Sequence, residues 1–333
     1  MFHVRRQVGV EVDENVAVAA VVYLLSWPLR GLRYRDILAE LGYRERVGFL
    51  TGAVFISQTG NLVFPARLGD GVRAYVVKAR RDIPYPSGFA SLAIERVFDL
   101  LTIAALAGGT FLALAAAGVD VTAIGATEAG AAGRSGRTAV LVAGGVGLAA
   151  VAAVAVIVAT ARSDRNVVRA TLGRVSDDSY VDYVAGIVER FAGDVQTVAD
   201  DRRAFAVVGA SSLAIWALDV LTALAVLAAL PGVDLLLWEL LAVGFFAVSV
   251  GNLAKVLPLS PGGVGLYEGA FSLIVVALTS VPFEVALAAA VVDHAVKNVV
   301  TVVGGVASTL LFNVSLTEAV EESREVGEAP ARE

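Results

Sequence analysis

Ionisable side chains inside apolar runs come first, because each costs ~2.5–3.5 kcal/mol at the centre of a membrane helix and needs a partner or a task to stay there. Three groups qualify. Glu95, Arg96 and Asp99 stand in SLAIERVFDL, inside an apolar stretch that opens near Gly88. On a helix, Glu95 and Asp99 share a face at i,i+4, with Arg96 beside them to neutralise one. Asp293, His294 and Lys297 (VVDHAVKNVV) lie well inside the last apolar run, and Asp293 and Lys297 are again i,i+4. Asp219 stands alone within 204–230. Such charges either hold a bundle together as internal ion pairs or line a path for an ionic ligand. Three groups in one small bundle favour a polar cavity, with Glu95 and Arg96 expected to pair with each other or with Asp293 and Lys297.

Two Pro/Gly-broken segments could meet that cavity. The first is PLSPGGVGLYEG, from Pro258 to Gly269. Proline blocks the helix, Gly262, Gly263 and Gly265 permit unusual dihedrals, and a helix is predicted from about Leu266. Its free N–H groups and partial positive charge would suit an anion. Glu268 in the first turn would instead satisfy that end internally, with no ligand. The second is PARLGDGVR, from Pro65 to Arg73, with Asp70 inside it. Arg67 and Arg73 would sit at its mouth, where guanidinium groups fork onto a phosphate; as ordinary loop cations they would only anchor the chain. Gly60-Asn61-Leu62 leads into one segment and Gly251-Asn252-Leu253 into the other. Paired interrupted helices in corresponding positions point to a transporter-type site.

The elements that must carry these groups are membrane helices. The chain has 333 residues, of which 57% are hydrophobic and 17% charged, against about 25% charged in soluble domains. Residues 138–160 contain no charge, enough to cross a hydrocarbon core of ~30 Å. Further apolar runs lie at 88–119, 204–230, 235–257, 264–280 and 283–314. Only helices satisfy their own backbone in lipid, and the short alternating segments of a barrel are missing. The fold class is therefore all-α, a polytopic helical bundle of about seven spans plus a re-entrant segment. Residues 15–32 form a first apolar segment that Pro28 and Arg30 should end. The run at 47–66, broken at Gly60, Asn61 and Pro65, has basic residues on both flanks. Cytoplasmic loops collect such residues, so the run is predicted to enter and return on one side.

The domain organisation follows: a polar start at 1–14, a multi-pass domain at 15–314, and an acidic tail at 315–333 predicted to be disordered. The loop at 118–137 is expected outside. The polar insert at 161–203 has an apolar stripe from Tyr180 to Val198 and reads as a cytoplasmic amphipathic helix. Cysteine is absent, and His3 and His294 are too far apart for a spaced metal motif, so neither metal nor cofactor is expected. No basic cluster of nucleic-acid type occurs, and the start lacks the regions of a signal peptide. A net charge of −6 with few lysines suits a high-salt cytoplasm, as in an archaeal halophile; a GC-rich genome would also favour Arg over Lys.

The blocks Gly60–Arg73, Glu95-Arg96 with Asp99, and Pro258–Gly269 resemble the signature of the lysylphosphatidylglycerol synthase transmembrane (flippase-like) family, over about residues 15–314. The resemblance implies a multi-pass domain that handles lipids, in some members moving an aminoacylated phospholipid between leaflets. Related archaeal domains are associated with polyisoprenyl-phosphate-linked sugar pathways. Asp70 stands where the family usually has Glu, and Tyr267 where a basic residue is common before the Glu. By that resemblance the chain is expected to begin at the family's second helix, and no acyltransferase-like domain is expected after residue 314, so aminoacyl transfer is not expected. The reading is a cell-membrane flippase or lipid-handling transporter for an anionic phospholipid or polyisoprenyl-phosphate-linked substrate. Its site would draw on Asn61, Arg67, Asp70, Arg73, Glu95, Arg96 and Asp99 from one half. Asn252, Gly262, Gly263, Gly265, Glu268, Asp293, His294 and Lys297 would come from the other. The alternatives are a membrane-embedded glycosyltransferase, an accessory to a glycosyltransferase partner, or an assembly protein without substrate.

Overall fold

The computed structural model describes residues 2–64, 68–116, 201–231, 233, 235, 237–255, 260–315, 319 and 321. The run at 138–160, the loop at 118–137, the insert at 161–200, Arg67 and the tail beyond 321 lie outside the described residues. What is described is helical: α1 (Phe2–Glu40), α2 (Val47–Val63), α3 (Leu68–Arg81), α4 (Tyr85–Ala116), α5 (Arg202–Ala229), α6 (Leu237–Ala254), α7 (Leu266–Leu278) and α8 (Phe283–Phe312). A short 3₁₀ turn, Pro261–Gly263, precedes α7. The protein is an all-α, multi-pass membrane protein. Among the described residues, four helical stretches are long and apolar enough to cross a membrane: Glu14–Glu40, Arg202–Ala229, Pro261–Leu278 and Phe283–Phe312. That is fewer than the seven spans read from the sequence, partly because α2 and the apolar part of α6 are short arms of hairpins.

Pro28 does not end α1. The helix runs through it to Glu40, although proline removes the bond to the preceding turn. Packing on both sides overrides that loss. Trp27 stacks on Phe55 of α2, ring centroids 3.4 Å apart, and Tyr34, Ile37 and Leu38 beyond the proline are fully buried.

α2 and α3 form a hairpin. Their outer ends are tied by Arg81 Nε to Glu45 Oε2 at 2.9 Å. Near the tip the two backbones touch: a Cβ on Gly69 would lie 2.1 Å from the Ser57 carbonyl oxygen. Only glycine allows that approach, the device that membrane helices use where burial of apolar surface no longer drives association. The end of α8 lies at the hairpin's base, where Arg80 donates to the Asn313 carbonyl at 2.7 Å. α6 and α7 form a second hairpin whose base lies at the opposite end of the bundle, with Leu230, Leu240, Leu278 and Val285 packed on one apolar cluster. The tips meet. The 3₁₀ turn packs on α2, and Gly262, at φ 64°, lies against the Leu62 side chain.

The halves are related. A constant interval separates Leu68 from Leu266, Asp70 from Glu268, Pro84 from Pro282, Glu95 from Asp293, Arg96 from His294 and Asp99 from Lys297. Each pair takes the same place in its half: the start of the returning arm, the proline before the long helix, or the charged turn within that helix. Hairpins entering from opposite ends give these halves opposite orientation, as in transporters built from inverted repeats. The tied hairpin base yields a direct expectation. Single cysteines replacing Arg44 and Arg80 should label from the same side of sealed vesicles, in a chain with no cysteine of its own. Labelling from opposite sides would break the hairpin topology.

Candidate functional site

Where the two tips meet, the helices enclose a cavity of about 470 Å³. α1 contributes Tyr23 and Arg30, α2 contributes Gln58 and Asn61, and α4 contributes Arg96 and Asp99. From the other half come Trp216 and Asp219 of α5, Asn252 and Lys255 around the end of α6, and His294, Lys297 and Asn298 of α8. Gly262 and Gly263 of the 3₁₀ turn close it. Four cationic side chains, Arg30, Arg96, Lys255 and Lys297, and two carboxylates therefore face one space among the described residues.

Behind the first half lies a buried charge network. Arg33 of α1 donates through Nη1 to Asp99 Oδ1 at 2.6 Å and to Ser212 Oγ at 2.9 Å, and its Nη2 lies 3.2 Å from Glu95 Oε1. Arg73 of α3 reaches Glu95 Oε2 at 2.6 Å. Both arginines are fully buried. Arg96 forks through Nη2 onto both Asp70 oxygens at 2.9 and 3.0 Å, and Asn61 Nδ2 donates to the same carboxylate at 2.9 Å. The indole N–H of Trp216 donates to Asp99 Oδ1 at 2.9 Å. The expected Glu95–Arg96 pair does not form. Neighbours in sequence leave a helix about 100° apart, so Glu95 turns toward α1 and α3 while Arg96 turns to Asp70 and the cavity. Arg73 differs from its expected place too, being enclosed with Glu95 instead of standing at a mouth.

The second half repeats the scheme with different groups. Lys297 Nζ lies 3.0 Å from Asp219 Oδ2 and 3.0 Å from Asp293 Oδ2, so the i,i+4 pair forms and Asp219 joins it. Tyr267 donates its hydroxyl to Asp293 at 2.6 Å, and Asn252 Nδ2 donates to Asp219 at 3.4 Å. His294 Nδ1 and Glu268 Oε1 are 2.6 Å apart. α7 starts at Leu266, and Glu268 Oε2 accepts from the Gly265 N–H at 2.7 Å, so the open helix end is met by the chain itself. Lys255 sits over the Tyr267 ring, 4.6 Å from its centroid.

Of the residues singled out in the sequence, Asn61, Arg96, Asp99, Asp219, Asn252, Gly262, Gly263, His294 and Lys297 line the cavity. Asp70, Arg73, Glu95, Glu268 and Asp293 stand behind it as ion-pair or hydrogen-bond partners, and Gly265 serves the cap. Arg30, Arg33, Gln58, Trp216, Lys255 and Asn298 were not among them. Arg30 and Arg33 follow a proline in a basic run and read as loop anchors; the helical spacing of Trp27, Arg30 and Arg33 was the available signal. No group of three or more His, Cys, Asp or Glu side chains that would hold a metal occurs among the described residues.

A model of one family, the lysylphosphatidylglycerol synthase TM region, matches residues 12–305. The chain belongs to that family. Among curated relatives, the protein named Glycosyltransferase AglD of Haloferax volcanii is 64% identical over 318 residues. The match covers 93% of this chain but only 51% of that relative, so the chain spans about half its length. A UPF0104 membrane protein of Methanothermobacter thermautotrophicus is 25% identical over 320 residues, covering 91% of this chain and 84% of the relative. The matched region of the lysylphosphatidylglycerol synthase TM family takes in both hairpins and all the charged groups described above.

Proposed function

We propose that this chain is a lipid-handling transporter that carries the headgroup of an anionic phospholipid or polyisoprenyl-phosphate-linked lipid through the cavity while the chains stay in the bilayer. One observation supports this above the others: broken hairpins from opposite ends meet at a polar cavity lined by Arg30, Arg96, Lys255 and Lys297 against Asp99 and Asp219. Both carboxylates are ion-paired, and four cationic side chains face the space against these two, a lining that suits phosphate. Membership of a family named for a lipid-modifying synthase agrees with a lipid substrate. Arg67, just ahead of Leu68 in the chain, is the proposed first contact for the headgroup. Lysine keeps its charge but loses the paired donors. Arg67→Lys should therefore slow movement of a fluorescent anionic lipid between leaflets of vesicles carrying the purified protein, and Arg67→Ala should slow it further, with a zwitterionic lipid as control. Movement no faster than in empty vesicles, for several anionic lipids and a polyisoprenyl phosphate, would end the transport reading.

The relative named a glycosyltransferase favours a second reading. In it the cavity presents a polyisoprenyl phosphate to a sugar-transfer reaction, with the chain as part of the enzyme or as accessory to a glycosyltransferase partner. Sugar transfer without leaflet exchange by the purified chain, alone or with such a partner, would decide for it.

A further inference from the structure

Polar groups on the α1–α2–α8 wall of the cavity remain available to a ligand. Gln58 of α2 and Asn298 of α8 are half-buried amides that line the cavity, and neither bonds to another side chain among the described residues. Arg30 makes one long hydrogen bond, from Nε to Ser26 Oγ at 3.4 Å, and lies over the rings of Trp27 and Tyr23 at 5.5 and 5.9 Å. It forms no ion pair among the described residues, its terminal N–H groups make no hydrogen bond there, and its side chain lines the cavity. The wall itself is fixed. Thr59 donates to the Thr301 carbonyl at 3.0 Å, and the Tyr23 and Thr301 hydroxyls lie 3.5 Å apart, tying the three helices at this level.

The chemistry of this wall selects among anionic headgroups. An arginine with free donors meets a phosphate oxygen. A side-chain amide offers donors and an acceptor together, which matches a hydroxyl, itself donor and acceptor. An ammonium group has three donors and no acceptor and needs carboxylate. Here Asp99 is occupied by Arg33 and Trp216, and Asp219 by Lys297. The geometry points to a phosphate ester carrying a polyhydroxylated substituent, a hexose or glycerol, with phosphate at Arg30 and hydroxyls at Gln58 and Asn298. An aminoacylated headgroup is the one this wall disfavours. The cavity falls in the size range of small-molecule sites, which suits a headgroup. This inference rests on the reading of the cavity as a headgroup site.

Calorimetry on the purified full chain tests it, with glucose 1-phosphate, glycerol 1-phosphate, inorganic phosphate and lysine ethyl ester as probes. At least one phosphate ester should bind about tenfold more tightly than inorganic phosphate, as one or two added hydrogen bonds allow; which ester wins separates a glycosyl from a glycerol source. Gln58→Leu and Asn298→Leu should each reduce that preference while leaving phosphate binding unchanged, and Arg30→Gln should weaken every phosphate probe. Size-exclusion profiles matching wild type establish that the variants fold. Equal binding of esters and phosphate, tighter binding of the amine, no binding of any probe, or a preference untouched in both leucine variants would overturn the assignment. Ester binding without movement of any lipid would remove transport and keep this site. Lipid movement without ester preference would do the reverse.

Discussion

Arg33→Ala is expected to destabilise the protein by about 3–5 kcal/mol, the loss seen when one partner of a buried ion pair is removed and the other charge is left uncompensated. Arg33 serves two carboxylates and a hydroxyl at once, on two other helices: Glu95 and Asp99 of α4 and Ser212 of α5. Its loss would leave Asp99 with the Trp216 indole and a more distant Arg96 contact at 3.7 Å, and Glu95 with Arg73 alone. Arg80→Ala is the control, because Arg80 is exposed and its side chain, among the described residues, bonds only a helix-end carbonyl. The yield of monodisperse protein in detergent and the thermal unfolding midpoint should fall sharply for Arg33→Ala and barely for Arg80→Ala. Arg96→Ala should fall between them, since its side chain is 26% exposed to the cavity and water can replace part of its role. Equal midpoints for all three would mean that the network carries no stability.

That ranking puts first a residue that the sequence does not single out, and the reason is physical. Charges inside apolar runs are visible at once because each is costly there, so Glu95, Arg96, Asp99, Asp219, Asp293 and Lys297 were all legible. Pairs at i,i+4 were legible as well, because helix geometry alone brings Lys297 to Asp293. Partners from other helices were not. Arg33 reaches Glu95 only because α1 continues through Pro28 and lies along α4, and a proline followed by arginines reads as the end of a span. Arg96 reaches Asp70 only because Gly69 lets α3 cross α2 at backbone contact, a property of the hairpin that no single helix encodes. The cap at Gly265 needs only neighbours, and the sequence offered Glu268 as its occupant beside an anion site at the same turn. The tripeptides Gly60-Asn61-Leu62 and Gly251-Asn252-Leu253 marked both hairpins. The extended correspondence in α3–α4 and α7–α8 is hidden because it conserves place more than residue type: acid and base recur at Glu95-Arg96 and Asp293-His294, but Asp99 answers to Lys297.

That exchange of acid for base gives the second large expected effect. Lys297 is the cation between Asp219 and Asp293, and both carboxylates are nearly enclosed. Lys297→Met would leave Asp293 with the Tyr267 hydroxyl, and Asp219 with a long bond from Asn252 and the charges of Lys255 and Arg30. A loss of about 3–5 kcal/mol and a collapse in folded yield follow from the uncompensated charges. Adding Asp219→Asn removes one of those charges and keeps a polar side chain beside Asn252, so the double variant should recover most of the yield. The recovery separates two roles of the lysine. If Lys297 is only a tie between α5 and α8, anionic-lipid movement in vesicles should return with the fold. If it supplies positive potential to a headgroup, as proposed, movement should stay at least about tenfold below wild type, the effect of losing one charge-assisted contact of roughly 1.5–3 kcal/mol. Lys297→Arg keeps the charge and should retain part of the activity. Full movement in the refolded double variant would strike Lys297 from the headgroup path and leave that task to Arg30, Arg96 and Lys255.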